Sequence, residues 1–364
     1  MAEKVVVGLS GGVDSAVTAY LLKQQGYDVI GVTMQIWKED IPENGDTGVT
    51  AVEDAKKIAE HIGIPHYVLN FKETFHEKVI SYFIQSYNIG KTPNPCIVCN
   101  RYVKWEALLE KARELGAEYI ATGHYAEVVK TDRGRYTVKN SKTAKKDQTY
   151  ALYMLTQEQL AHTIMPLGKY EKDEIRQIAI DAGIPVANKP DSQDICFVED
   201  GKYANFIRRE TKKWPRRGDF VDTEGNVVGQ HRGIIYYTVG QRKGLDLNLG
   251  YPAYVAKIDA KTNQIVVSDN QALFKDTVIA ENVNMMAAAD LSNPTEAFAK
   301  IRYNHIGADC RVWMEDDRLV CKFYEPQRAV TPGQALVVYK DGVVLCGGEI
   351  VAGEARSENT PSAQ

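Results

Sequence analysis

The apolar run Val5-Val6-Val7 leads directly into Gly8-Leu9-Ser10-Gly11-Gly12-Val13-Asp14-Ser15, and the helical pattern Ala16-Val17-Thr18-Ala19-Tyr20-Leu21-Leu22 follows at once. A buried strand, a Gly-rich turn and a helix in that order leave the first N–H groups of the helix without intrahelical acceptors. They also aim its positive dipole end at whatever lies above. Such a turn suits an anion, and a phosphate chain above all. Gly8 and Leu9 close the strand and Val13 opens the helix. Gly11 and Gly12 permit φ > 0 and close backbone approach, while the Ser10 and Ser15 hydroxyls add donors. Asp14 would repel a bare phosphate, so its place among these donors predicts a bridging Mg²⁺. The turn lacks the Gly-Lys-Ser/Thr end of a Walker loop and the spaced glycines of a dinucleotide fold.

Downstream, the first third of the chain alternates strand and helix. Tyr27 to Gln35 reads as a second strand after the stop at Gly26, and Thr50-Ala51-Val52-Glu53 has capping-box spacing and starts a helix ending at Gly63. His66 to Asn70 is a third strand, Phe71 to Asn88 a helix, 100–115 another helix stopped by Gly116, and 118–122 a strand. This order predicts right-handed βαβ units and a mostly parallel sheet with helices on both faces. Ligands on such sheets bind beyond the carboxyl ends of the strands. The loop at 8–15, Met34 and Gly123-His124 all fall on that edge. Met34 reads either as core or as an apolar wall for an adenine ring. Gly123 reads as a turn glycine or as a point of close approach to a nucleotide, and His124 as a ligand contact or a satisfied loop residue.

A second site is built from thiols. Lys91-Thr92-Pro93-Asn94-Pro95-Cys96-Ile97-Val98-Cys99 places two prolines before a Cys-x-x-Cys, a stiff loop expected to deliver Cys99 to the start of the following helix. Its thiolate would be stabilised there and its pKa lowered. Cys196 follows in another Pro-containing polar loop, Lys189 to Phe197, whereas Cys310, Cys321 and Cys346 lie in strand-like apolar surroundings and read as inert core. A zinc site at Cys96 and Cys99 would need two further ligands, and no second Cys-x-x-Cys or His pair has the spacing. Six cysteines without a signal peptide point to a reducing cytoplasm, because Met1-Ala2-Glu3-Lys4 runs straight into a core strand and no apolar run reaches membrane-spanning length.

Three parts are expected: a catalytic domain over 1–204, a small central α+β domain over 205–272 and a C-terminal β-barrel over 273–356, with a disordered tail at 357–364. The central part should contain hairpins at 218–229 and at 254–268, the latter turning at Asp259 to Asn263. A net charge of −4 gives no global attraction to nucleic acid, so such a partner must be held locally. Lys202, Arg208, Arg209, Lys212, Lys213, Arg216 and Arg217, interleaved with Tyr203, Phe206 and Trp214, form a dense basic segment. It reads as a solvated helix face or as an RNA contact.

Ser10-Gly11-Gly12-Val13-Asp14-Ser15 resembles the PP-loop of the N-type ATP pyrophosphatases, which cleave ATP between the α and β phosphates. A closer resemblance runs through almost the whole chain. Asn94-Pro95, Cys99-Asn100, Ala121-Thr122-Gly123-His124-Tyr125, Lys146-Asp147-Gln148, Asp191 to Phe197, Thr238 to Gly244 and Pro332-Gly333-Gln334-Ala335 look like the tRNA 2-thiouridylases. The resemblance implies a PP-loop (HUP-like) α/β sheet followed by a central domain and a C-terminal β-barrel. It implies ATP with Mg²⁺ bound by Gly8 to Ser15, Met34 and Gly123, and a substrate that is the anticodon stem-loop of a tRNA, whose wobble uridine O2 is adenylated and replaced by sulfur. Cys196 would receive that sulfur as a persulfide from an upstream carrier or cysteine desulfurase. Cys99 would be the paired nucleophile, and a Cys99–Cys196 disulfide would remain. Asn94, Pro95, Cys96, His124, Lys146, Asp147, Gln148, Arg302, Tyr303 and Gln334 would touch the tRNA, and the chain would act as a monomer.

One departure is that the family often has Asn-Pro-Asp where this chain has Asn94-Pro95-Cys96, so a thiol replaces a carboxylate. Cys96, Cys99 and Cys196 could then hold an iron–sulfur cluster with an open iron instead of passing a persulfide. Two further readings use fewer of these residues. Another PP-loop enzyme, such as a tRNA lysidine synthetase or an amide-forming synthetase, has no need of Cys99 and Cys196. A non-catalytic RNA-binding protein has no need of Asp14 and Ser15.

Overall fold

The computed structural model describes residues 2–37, 51–190, 195–198 and 201–355. The expected cap Thr50, the stretch Asp191 to Asp194 and the tail 357–364 lie outside the described residues. Strand β1 (Lys4–Gly8) lies between β2 (Asp28–Gln35) and β4 (Tyr119–Ala121), with β3 (His66–Asn70) and β7 (Thr163–Ile164) at the edges. All four pairings are parallel, as the alternation of strand and helix predicts.

Period-2 geometry explains why Val5, Val6 and Val7 are all apolar. Val5, Val7 and Leu9 join a core with Ala16 and Leu22 of α1 (Val13–Gln24), Ile58 of α2 (Ala51–Ile62) and Ile175 of α8 (Lys172–Asp181). Val6 and its register partner Ile120 point to the opposite face and are equally buried, so β1 is covered on both sides. The chain leaves β3 on one flank and returns as β4 on the other. The topological switch therefore falls between β1 and β4, above whose carboxyl ends parallel sheets bind their ligands.

Two helices differ from the sequence expectation. The helix expected over 71–88 is α3 (Lys72–Phe75), a π-helical turn (His76–Ile80) and α4 (Ser81–Asn88). The helix expected from residue 100 begins earlier, with α5 (Pro95–Cys99), and runs on through a π-helical stretch (Asn100–Ala107) to α6 (Leu108–Glu114). Pro95 can start it because the first helical residue needs no N–H acceptor. Within this helix Trp105 is fully buried, and its indole Nε1 donates to Thr163 Oγ1 at 2.8 Å. That hydroxyl in turn donates to the Gln159 carbonyl, in α7 (Gln157–Ala161), at 2.6 Å. The helix carrying the first two thiols is thereby tied to the edge strand of the sheet.

By contacts the chain divides into two compact units. The first comprises 1–80, 96–197 and 342–344 and contains the parallel sheet and the hairpin β5 (Glu127–Lys130) and β6 (Tyr136–Lys139). The second comprises 81–95, 198–341 and 345–364. Described by itself, it holds α9 (Tyr203–Thr211) and a four-stranded sheet in the order β10-β11-β8-β9, from β8 (Gly218–Val221), β9 (Val227–His231), β10 (Tyr254–Asp259) and β11 (Gln264–Ser268). Both expected hairpins are present, and β8 and β11 join them in parallel. Six antiparallel strands follow: β12 (Phe274–Met285), β13 (Thr295–Lys300), β14 (Ala308–Glu315), β15 (Arg318–Arg328), β16 (Ala335–Lys340) and β17 (Val343–Glu354). The β12–β17 pairing closes them into the expected barrel, and Cys310, Cys321 and Cys346 lie in its core.

Replacing Thr163 by Val keeps the shape but leaves the Trp105 indole N–H buried without an acceptor. Thr163→Val should lower unfolding stability by about 1–3 kcal/mol, read as a lower denaturant midpoint at unchanged slope. An unchanged midpoint would show that the indole needs no partner there.

Candidate active site

The loop after β1 folds as its composition dictates. Gly11 adopts φ +73°, and a Cβ there would come within 2.5 Å of the Ala51 carbonyl oxygen. Gly12 is the N-cap of α1 and offers no side chain to cap it, so the first-turn N–H groups face outward. Ser15 Oγ accepts from the Ser10 N–H at 3.2 Å and donates to the Gly12 carbonyl at 3.0 Å, and the two hydroxyls are 3.2 Å apart. An uncapped helix start, a left-handed glycine and paired hydroxyls fit a phosphate chain.

Asp14 is held by two contacts that sequence reasoning did not assign, one from Lys172 and one from Tyr125 of the segment after β4. Lys172 Nζ, at the start of α8, donates to both carboxylate oxygens at 2.7 and 2.9 Å, and the Tyr125 hydroxyl donates to one of them at 2.7 Å. The Lys172 side chain is only 12% exposed. The repulsion between Asp14 and a phosphate, which led to an expected metal at that carboxylate, is thus already met by a lysine 158 residues away. A second lysine, Lys189, spans from Asp54 (2.7 Å) to the Gly11 carbonyl (3.3 Å).

Gly123 lies against the loop itself. A Cβ there would be 2.8 Å from both the Asp14 carbonyl carbon and the Ser15 nitrogen, so the segment after β4 packs backbone to backbone on the phosphate loop. Beside it, half-buried His124 exchanges a hydrogen bond with Thr122 Oγ1 at 2.8 Å, and its ring centroid is 5.2 Å from that of Trp105. Enclosure of the ring, aided by the Lys104 charge, holds His124 well below the usual histidine pKa and therefore neutral at pH 7. Met34 and Leu108 both reach Gly8. Met34 Cε is 3.8 Å, and Leu108 Cδ2 3.7 Å, from where a Gly8 Cβ would stand. Met34 thus borders the loop as well as the core.

The thiol helix meets this edge from the other side. Cys99 is buried one turn inside the helix rather than exposed at its start, because the helix begins at Pro95. The expected lowering of its pKa is reversed. Burial pushes the Cys99 thiol up to about 12, against the pull of the Lys104 ammonium, and the Cys196 and Cys96 thiols add to the rise. Cys196 is exposed, and desolvation of its sulfur together with Cys96 raises its pKa too, again against Lys104. Segments 97 residues apart in sequence therefore bring Cys99 and Cys196 into one electrostatic neighbourhood, with Lys104 as its cation. Phe197 secures the second segment. Its ring packs 5.7 Å from Phe75 and 6.2 Å from Trp37. Next to Cys99, Asn100 is buried. Its Nδ2 donates to the Ala151 carbonyl at 2.9 Å, while Oδ1 has no partner among the described residues.

Comparison with known proteins places this geometry in a family. A tRNA methyl transferase HUP domain model matches residues 3–200, a tRNA methyl transferase PRC-barrel domain model 204–269, and an aminomethyltransferase β-barrel domain model 275–350. The tRNA-specific 2-thiouridylase MnmA of Lachnoclostridium phytofermentans is 54% identical over 355 residues, covering 96% of this chain and 99% of the relative. The chain belongs to the tRNA-specific 2-thiouridylase MnmA family. MnmA proteins of Clostridium kluyveri and Clostridioides difficile are each 53% identical, over 96% of this chain and 99% and 98% of their own lengths.

In this MnmA-family chain the expected tRNA contacts are distributed over both units. In the first unit, Gln148 Oε1 accepts from the Tyr125 N–H at 2.9 Å, and Asp147 Oδ2 accepts from the Ser141 N–H at 2.8 Å, so both side chains shape the loop after His124. Half-buried Lys146 precedes them at the end of a short 3₁₀ turn. Cys96 is exposed in the first turn of α5. In the second unit, Gln334 Nε2 donates to the Thr92 carbonyl at 2.8 Å, just before Asn94 and Pro95. Arg302 Nη1 donates to the Arg328 carbonyl at 3.1 Å, and Tyr303 is 39% exposed beside it. Among the described residues no three His, Cys, Asp or Glu side chains are placed to hold a metal ion.

Two outcomes follow from these charges. Alkylation of Cys99 by iodoacetamide in the Cys96→Ser, Cys196→Ser variant should be slow at pH 7–8 and keep rising about tenfold per pH unit through pH 9, because burial, the largest cause of the raised pKa, is retained there; saturation below pH 9 would contradict a buried neutral thiol. Lys172→Met leaves Asp14 uncompensated and should weaken ATP binding about tenfold or more. The Asp14→Asn, Lys172→Met double variant should recover part of that loss in a calorimetric titration, whereas strictly additive losses would show the two residues to be uncoupled.

Proposed function

We infer that this chain is a tRNA 2-thiouridylase: an ATP-using sulfurtransferase that replaces O2 of a tRNA uridine, the wobble position, by sulfur. One observation carries the reading. In one compact unit Gly123 packs on the phosphate loop, its neighbour His124 lies against Trp105 of the helical run that carries Cys99, and Cys99 and Cys196 share the field of the Lys104 charge. An amide-forming PP-loop enzyme has no use for that second half. A passive RNA-binding protein has no use for the first.

ATP, supplied with Mg²⁺ as in the family, provides the adenylyl group that turns the base oxygen into a leaving group. The chain's own residues then divide the work. The α1 N-terminus, Ser10 and Ser15 hold the phosphates, Lys172 and Tyr125 keep Asp14 from opposing them, and Met34 lies beside the loop where an adenine would rest. Neutral His124 can donate or accept a hydrogen bond at the base without adding charge. Exposed Cys196 is placed to receive a sulfane sulfur from a carrier or desulfurase. The terminal sulfur attacks C2, AMP leaves, and the base is joined to Cys196 through a disulfide. Cys99 thiolate then attacks the Cys196 sulfur, releasing the thiolated base and leaving a Cys99–Cys196 disulfide for an external reductant. Lys104 is the group that favours the Cys99 thiolate when this step is reached. The need for that reductant fits a cytoplasmic setting. No helix among the described residues is long and apolar enough to cross a membrane. The three-part division at 204/205 and 272/273 and a monomeric working form belong to the same proposal, as do Asn94, Pro95, Cys96, Lys146, Arg302, Tyr303 and Gln334 as tRNA contacts.

The two halves separate cleanly by assay. Cys99→Ser and Cys196→Ser should each abolish thiolation while retaining AMP formation that depends on tRNA. Ser15→Ala should lose both, AMP formation falling by about 10²-fold or more. Retention of full thiolation by either cysteine variant would defeat the proposal.

A further inference from the structure

The second unit carries a feature that the thiolation chemistry does not use. Between residues 208 and 217 stand six cations, Arg208, Arg209, Lys212, Lys213, Arg216 and Arg217, against a single carboxylate, Glu210, in a chain whose net charge is −4. In the middle of them Trp214 is 79% exposed, and the Arg208 guanidinium lies over its ring, 3.9 Å from the centroid. A large apolar ring held in water by one cation and surrounded by others is costly unless something covers it.

The backbone around Trp214 is fixed rather than loose. Helix α9 ends at Lys212 in the left-handed conformation (φ 53°), with the Lys212 N–H donating to the Arg208 carbonyl at 2.9 Å. The next N–H, of Lys213, donates to Thr211 Oγ1 at 3.3 Å. At the other end the Arg217 carbonyl accepts from Asn263 Nδ2 at 2.8 Å. Between these pins, Pro215 packs so closely on the turn at Gly233 (φ 129°) that a Cβ at Gly233 would be 2.4 Å from the Pro215 Cβ. That turn brings Arg232 alongside, and its guanidinium lies 4.3 Å from the Tyr236 ring centroid. Among the described residues Arg208, Lys212, Lys213, Arg216 and Arg217 make no ion pair with a carboxylate, so their charge is available to a partner.

We propose that Trp214, backed by Arg208 and flanked by Lys212, Lys213, Arg216 and Arg217, is a preformed platform on which an unpaired base of the tRNA substrate stacks while the cations hold the adjoining phosphates. An aromatic face with cations on either side matches the alternation of base and phosphate along a single-stranded nucleic acid. An acidic protein would need the charge but not the exposed ring. Because the backbone is already ordered, little conformational entropy remains to be lost on binding. The proposal rests on the tRNA-thiolating function proposed above and adds to it a recognition surface outside the catalytic unit.

The test uses the full-length protein and an unmodified tRNA transcript, with dissociation constants measured from 50 to 300 mM salt. Trp214→Ala should weaken binding about ten- to a hundredfold with little change in salt slope, and Trp214→Phe should restore most of it. The Arg216→Ala, Arg217→Ala pair should instead lower the slope by about 1.5–2, the signature of two lost phosphate contacts. Wild-type affinity in both Trp214→Ala and Arg208→Ala overturns the platform, even where the wild-type enzyme binds and thiolates tRNA. Failure of the wild-type enzyme to bind tRNA overturns the function and the platform together. Competition by polyglutamate as potent as that by single-stranded RNA of equal charge would assign the surface to an acidic polypeptide and overturn the RNA reading.

Discussion

Gly123 has room for a hydrogen and nothing larger, because the backbone of Asp14 and Ser15 passes 2.8 Å from where a methyl carbon would stand. That contact joins the loops leaving β1 and β4, the two strands between which the sheet changes direction. The other parts of the site depend on it. It seats the phosphate loop, brings His124 to Trp105, and sets Tyr125 so that its hydroxyl reaches Asp14. Gln148 holds the Tyr125 N–H in turn, so a residue that the family resemblance gave as a substrate contact also positions the nucleotide side of the site. Two half-sites that could each exist in another protein are thereby fused through a few backbone atoms.

The electrostatics of the two halves contrast. Around the phosphate loop the charges are neutralised in advance. Lys172 answers Asp14 and Lys189 answers Asp54, so an incoming anion meets N–H groups rather than a bare carboxylate. Around the thiols the protein leaves the chemistry unspent. Cys99 is held neutral by burial while the ammonium of Lys104 pulls in the other direction. A buried thiol of high pKa resists oxidation and stray alkylation, and it becomes a nucleophile only when the local balance of charge and solvent changes. A cysteine that must meet a disulfide once per cycle gains from being unreactive the rest of the time.

What could be read from the chain was what lies close together in it. The phosphate loop, the parallel sheet, both hairpins and the barrel follow from periodicity and turn residues within windows of ten to twenty positions. The pairing of Cys99 with Cys196 came from a family resemblance, and no local pattern carries it. Lys172 and Lys104 carried no signal: each looks like one more helix-surface lysine until the fold places it beside Asp14 or the thiols. The parallel β8–β11 pairing is silent for the same reason, since neither strand's pattern encodes its neighbour. The reversed pKa of Cys99 traces to a local error with a long reach. Taking the helix to start near residue 100 put the thiol at a helix terminus, and starting it at Pro95 puts the thiol inside.

Phe197 wedges between Phe75 and Trp37, and Cys196 is its immediate neighbour. The Cα of Cys196 is therefore one peptide unit, about 3.8 Å, from a buried ring seated in an aromatic cluster. An exposed sulfur beside a buried anchor separates access from support: in this arrangement a donor can reach the thiol from solvent without displacing the ring that seats it.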